Sequence, residues 1–212
     1  MIDVERYNKL KEKYGHVSSW TIWKEPGETP KSNTADMSIF EDKNICNKLN
    51  DKYVFVALNG AGTHGVQEDK PWKNFHSSYQ YQNDFKLRFA LMDSPFWGSY
   101  ITDIIKEFHE SNSKNVVSHF QEHPNEIKYH INSFKEELNC LSDEKPILIA
   151  VGNDSYNILN DYLSNEYKIY KIMHYAARIN KEAYKEEVCR ELKKIFEDNI
   201  NNPNSTTQSR LI

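Results

Sequence analysis

Cysteine is scarce: Cys46, Cys140 and Cys189 are the only three in 212 residues, and no two form a CxxC pair. This spacing argues against a thiolate-held iron–sulfur cluster or structural zinc, and the odd, scattered set fits a reducing compartment. Long apolar runs are also missing, since none approaches the ~20 residues needed to cross a bilayer. The opening MIDVERYNKLKEKYG reads as a charged amphipathic helix and not as a signal peptide. The expectation is a soluble cytoplasmic protein. There is no basic excess either. Lys and Arg number 27 against 31 Asp and Glu, for a formal charge of -4. That balance argues against a constitutive, non-specific nucleic-acid binder, but leaves room for an enzyme that meets DNA through a local patch. No internal repeat is visible.

What is present suits one domain of ordinary size, with 38% hydrophobic and 27% charged residues. Residues 3–14 read as a helix closed by Gly15. Residues 16–44 carry no period and read as an irregular arm that packs Trp20 and Trp23 against the main body, so 1–45 form an N-terminal helix and arm. The main domain spans 46–199, and the polar stretch 200–212 reads as a flexible tail. Within the domain, 53–58 is a near-continuous apolar run ending in Asn59-Gly60-Ala61-Gly62, the pattern of a strand buried on both faces. Similar runs cover 97–102, 146–151 and 167–173. Helical spacing covers 79–91, 125–139, 154–164 and 181–199. This alternation predicts an α/β fold, a three-layer sandwich around a central four-stranded parallel sheet.

Ligands of open parallel sheets bind at the carboxyl ends of the strands. Here those ends deliver Asn59 with its glycines, Thr102 and Asp103, Asn153 and Asp154, and His174. In order and spacing these segments resemble the uracil-DNA glycosylase superfamily, in the style of its mismatch-specific and single-strand-selective branches. Leu58-Asn59-Gly60-Ala61-Gly62 is similar to the first motif, where an asparagine handles the attacking water. Pro71-Trp72 falls where an aromatic stacks on the extruded base. Tyr100-Ile101-Thr102-Asp103-Ile104-Ile105-Lys106 is similar to the segment that reads the base edge. Ile149-Ala150-Val151-Gly152 is similar to the third strand and turn. Ile172-Met173-His174-Tyr175-Ala176-Ala177-Arg178 is similar to the last motif, whose histidine contacts the base and whose following loop wedges into the duplex. The resemblance spans about residues 53–180. The chain departs from it at Gly60 (usually proline), at Asp103 (usually asparagine), and at Tyr175 and Ala176 (usually proline and serine).

Each residue has a plainer role beside the implied one. Trp72 either stacks on a base or packs under its loop; aromatic stacking is worth ~1–3 kcal/mol per base. Asn59 either orients a water, with Gly60 allowing the base close to the backbone, or is a turn residue. His174 either donates to a base oxygen as charge develops, or is structural. Asp103 either accepts from an exocyclic amine or caps a helix beginning at Ile104. Lys171, Arg178 and Lys181 either meet phosphates or are solvated. His119, His123 and His130 suggest no metal site, because Pro124 interrupts their helix and no carboxylate spacing completes a known set.

The resemblance implies a DNA-repair hydrolase, a base-flipping glycosidase of damaged or modified DNA that needs neither cofactor nor metal. Asn59 and His174 are its expected catalytic residues. Trp72, Asp103 and Gly60 are expected to bind the base, and Arg178, Lys171 and Lys181 to contact DNA. The rival readings are an inactive member of the same fold that binds nucleic acid or protein, and an enzyme acting on free nucleosides or nucleotides.

Overall fold

A computed structural model describes residues 1–60, 70–77, 82–108 and 110–201. The apolar run after Lys52 forms part of strand β2 (Asn50–Asn59), and its side chains alternate between two cores. Val54, Val56 and Leu58 enter one core, Phe55 and Ala57 the other. A strand with both faces covered has to be apolar at successive positions, which is why this run is continuous. β3 (Ser99–Ile105), β4 (Ile147–Val151) and β5 (Ile169–Ile172) lie parallel to it in the order β3-β2-β4-β5.

The fold is therefore α/β, but its sheet is five-stranded and mixed. The arm expected to be irregular supplies β1 (Ser18–Trp20), which pairs antiparallel with β3 through Ser18–Thr102 and Trp20–Tyr100. Three residues show no alternation in a sequence, so this strand left no periodic mark. The arm also contains a 3-10 turn (Met37–Glu41) and the short helix α2 (Ile45–Lys48).

Helices cover both faces. On one lie α1 (Val4–Tyr14), α4 (Ser113–Glu122), α5 (Pro124–Leu141) and α6 (Asn153–Leu163), whose Leu10, Phe120, Phe134 and Leu159 join the core of Val54 and Val56. On the other lie α3 (Asp84–Leu91) and α7 (Lys181–Asn201), whose Leu87, Tyr184 and Val188 join Phe55 and Ile149. Asp3 caps α1 by accepting from the Arg6 amide at 2.8 Å. The helix expected over 79–91 is seen from Asp84, and residues 78–81 lie outside the described residues. The expected tail 200–212 also lies outside them, apart from the last turn of α7.

The arm is fastened by a buried cation. Arg88 of α3 is 1% exposed and donates to the carbonyls of Lys24, Pro30 and Ser32 at 2.7–2.9 Å. A guanidinium offers five donors and no acceptor, so three carbonyls from one loop are a matching set. No helix among the described residues is long and apolar enough to cross a membrane.

Candidate functional site

In this sheet the chain leaves β2 toward β3 on one side, and leaves β4 toward β5 on the other. The carboxyl ends of β2 and β4 are thus a topological switch point, where diverging connections open a crevice. Asn59 and Gly60 end β2 there, and Gly152 and Asn153 follow β4. Ala61 and Gly62, the remainder of the glycine-rich segment, lie outside the described residues.

Gly152 determines where His174 sits. Its φ of 98° is a left-handed value that side chains resist, and a Cβ there would lie 3.3 Å from the His174 Cβ and 3.4 Å from its Cδ2. The missing side chain lets the imidazole rest against the start of α6. The Ala176 amide donates to His174 Nδ1 at 3.0 Å, so Nδ1 carries no proton in the neutral ring and the single N–H is on Nε2. Burial holds the His174 pKa below its ordinary value, against the opposing pull of Asp154. The result is a neutral imidazole whose Nε2–H has no partner among the described residues. A cleft of ≈ 450 Å³ borders it, with Lys171, Met173 and Glu191 among its walls.

Asp103 is not where the sequence suggested. β3 continues through Thr102 and Asp103 to Ile105, so Asp103 pairs with Ala57 inside the sheet and caps no helix. It is 4% exposed, and Asn74 Nδ2 donates to its Oδ2 at 3.0 Å. Its other carboxyl oxygen has no hydrogen bond among the described residues. Burial raises the Asp103 pKa to about 7, with Asn74 and Lys106 pulling the other way. Asp84 is buried nearby and also raised by burial, although its Oδ2 accepts from the Ser77 amide at 2.9 Å. The Tyr175 hydroxyl has its pKa raised first by burial and then by the charges of Asp84 and Asp103. Sequence reasoning missed Asn74, Asp84 and Tyr175. Tyr175 was in view only as a departure from the proline of the last motif, and Asn74 lies in a loop without period.

Two expected residues are committed elsewhere. Trp72 is not a surface on which a base can stack: it is 1% exposed, donates from Nε1 to the Tyr7 hydroxyl at 2.9 Å, and packs against Tyr7, Trp20 and Tyr100. Its left-handed φ of 69° and the 2.6 Å bond from its amide to the Gly15 carbonyl turn it inward. Asn59 is half-buried, and its amide nitrogen donates to the carbonyls of Phe108 and Glu110 at 2.8 and 2.9 Å. Both amide hydrogens are used in holding the segment after β3, so the side chain has no donor left for a water.

The cations are mixed. Lys171 donates to Asn153 Oδ1 at 3.0 Å and lies over the Tyr156 ring. Lys181 pairs with Glu182 and sits 4.1 Å from the Phe89 ring centroid. Arg178 is exposed, with no hydrogen bond or ion pair among the described residues. The structure therefore places His174, Gly60 and Asn59 at the carboxyl edge of the sheet and Asp103 two residues inside it, with Trp72 in the core. No family model matches the chain, and comparison with curated proteins and with solved structures finds no match.

Proposed function

We propose that the chain is a DNA glycosylase-like hydrolase of the uracil-DNA glycosylase type, cleaving the N-glycosidic bond of a base that has left its stack. The observation that carries this reading is that the carboxyl end of the sheet bears two groups with complementary tasks, Asp103 in β3 and His174 after β5. Asp103 offers a carboxyl oxygen with no hydrogen bond among the described residues, and His174 offers a neutral Nε2–H. A departing base gains negative charge on its ring, and a preorganised neutral donor stabilises that charge in the transition state. A carboxyl oxygen without a hydrogen bond suits the polar edge of a base. The Tyr175 ring, 4.4 Å from the His174 ring centroid and tilted by 36°, supplies the flat surface that Trp72 does not. Arg178, without a hydrogen bond or ion pair among the described residues, is a cation for phosphate contact.

In this reading Asn59 acts by shaping the loop, and Gly60 leaves room for the substrate beside it. No cofactor is needed, because water is the nucleophile. The test is incubation with duplex and single-stranded oligonucleotides bearing a panel of base lesions, scored for abasic sites. Strand-specific abasic sites that vanish with His174→Ala support hydrolysis. A second reading, an inactive binding module of the same fold, is favoured by one observation: the Asn59 amide nitrogen is committed to two carbonyls and has no hydrogen left for a water. Retention of DNA without abasic sites would select that reading.

A further inference from the structure

The break that Pro124 makes between α4 and α5 brings three ligand groups together. His119 lies in the last turn of α4, His123 closes that helix, and Glu126 lies in the first turn of α5. Their ligand atoms all fall within 4.8 Å of one another. We propose that His119, His123 and Glu126 form a binding site for a divalent transition cation of the zinc type, at the corner between α4 and α5.

Three features of the geometry favour an ion over a plain ion pair. The histidines stand four residues apart, so one helical turn places their rings in register, 4.4 Å between centroids and 21° between planes. His123 Nδ1 lies 2.8 Å from the His119 carbonyl. A carbonyl can only accept, so the proton is on Nδ1 and Nε2 presents its lone pair. A backbone carbonyl that holds the far ring nitrogen in this way is the usual support of a metal-binding histidine. His119 Nε2 lies 2.8 Å from Glu126 Oε2. A cation replaces the Nε2 proton there, the ring then carrying its proton on Nδ1, and the two side chains part slightly to reach ligand distances of ~2.0–2.2 Å. Two imidazoles and a carboxylate suit zinc, whose fourth position water would fill. All three side chains are at least partly exposed, so a hydrated ion can reach them.

The site is separate from the strand-end crevice but touches its support. The His119 ring packs 4.9 Å from the Phe108 ring, and the Phe108 carbonyl is one of the two that Asn59 holds.

Titration of the full chain with Zn²⁺ against a chromophoric chelator tests the proposal. One equivalent per chain is expected, with affinity falling as pH drops and protons compete for the imidazoles. His123→Gln and Glu126→Gln change exposed side chains that the fold does not need, and each should weaken binding by about tenfold or more, while His119→Ala should abolish it. Co²⁺ substitution should give a spectrum without thiolate bands, which separates this site from Cys46, Cys140 and Cys189. Zinc affinity unchanged in both His123→Gln and Glu126→Gln, thiolate bands with Co²⁺, or no binding by the wild-type chain overturns the proposal. This outcome is independent of whether the protein cleaves DNA.

Discussion

Asn74 joins Asp103 to the arm: its amide nitrogen lies 3.0 Å from the carboxyl Oδ2 and 2.8 Å from the Val17 carbonyl. One side chain thus spends both hydrogens on fixing a buried acid in the second strand from the sheet's edge. The acid cannot turn away from its site, and the cost of burying it shows in its titration.

That cost gives a pH signature. Unfolded, the Asp103 carboxyl group titrates near ~3.9; folded, its pKa is about 7. Below pH ~4 both states keep the proton, and this group takes nothing from the stability of the fold. Between there and pH 7 the unfolded chain releases its proton first, so stability falls as pH rises and levels off above 7. The loss from this one group is on the order of 4 kcal/mol. Asp103→Asn keeps an acceptor for Asn74 and removes the titration, so it should gain stability relative to wild type at pH 8 and little at pH 4. Urea unfolding at both pH values checks this, and equal pH slopes in the two proteins would refute it.

The proton on Asp103 should also change what the site accepts. At pH 6 the carboxyl group is mostly neutral and can donate to a carbonyl edge, as on uracil; at pH 8 it only accepts, which favours an exocyclic amine. Relative cleavage of uracil over amine-bearing bases should therefore fall by about tenfold from pH 6 to pH 8. A ratio that does not move with pH would leave Asp103 out of base choice.

Gly152→Ala should disturb His174 while leaving that residue itself unchanged. Its left-handed φ costs about 1–3 kcal/mol with a side chain present, and the new Cβ presses on the imidazole. The expected result is a lowered melting temperature, together with a shifted imidazole resonance for His174. An unshifted resonance would mean that the ring does not rest on Gly152.

Asn59→Ala removes the donor from two carbonyls and should cost about 1–2 kcal/mol. Asn59→Asp should be worse, because it turns a carboxylate toward the same two oxygens. If the residue instead positioned water, aspartate would keep an acceptor and outperform alanine. Comparing the unfolding midpoints and cleavage rates of the two variants decides between these roles.

Trp72→Ala should cost about 3–5 kcal/mol of stability in the absence of any nucleic acid, the usual penalty for emptying a core position of this size. Normal stability with weakened base binding would restore the stacking role.

The four parallel strands were legible because each is an apolar run closed by glycine or a polar residue. The extent of β3 was not. Thr102 and Asp103 read as the end of a strand, since polar pairs normally mark an exit from the core, yet both are buried and the strand runs on to Ile105. Trp72 shows the limit of reasoning from motif spacing. Its distance from Asn59 fits a site residue, but its direction depends on one left-handed φ and one bond to Gly15, and neither has a sequence pattern. The triad of His119, His123 and Glu126 was hidden for the opposite reason. In the sequence Pro124 interrupts the helix between these residues, whereas in the fold the corner it makes brings them together.

The antiparallel strand β1 has a consequence for how the chain is assembled. Ser18–Trp20 leave the ribosome early, but their partners Tyr100–Thr102 follow about eighty residues later. Trp20, fully buried in the finished protein, rests on Trp72 and Tyr100, and lacks Tyr100 until that later segment is made. The first strand in sequence is thus secured only after β2 and β3 have both been made. During synthesis the nascent chain carries an exposed tryptophan and an unpaired strand, the kind of surface that chaperones recognise.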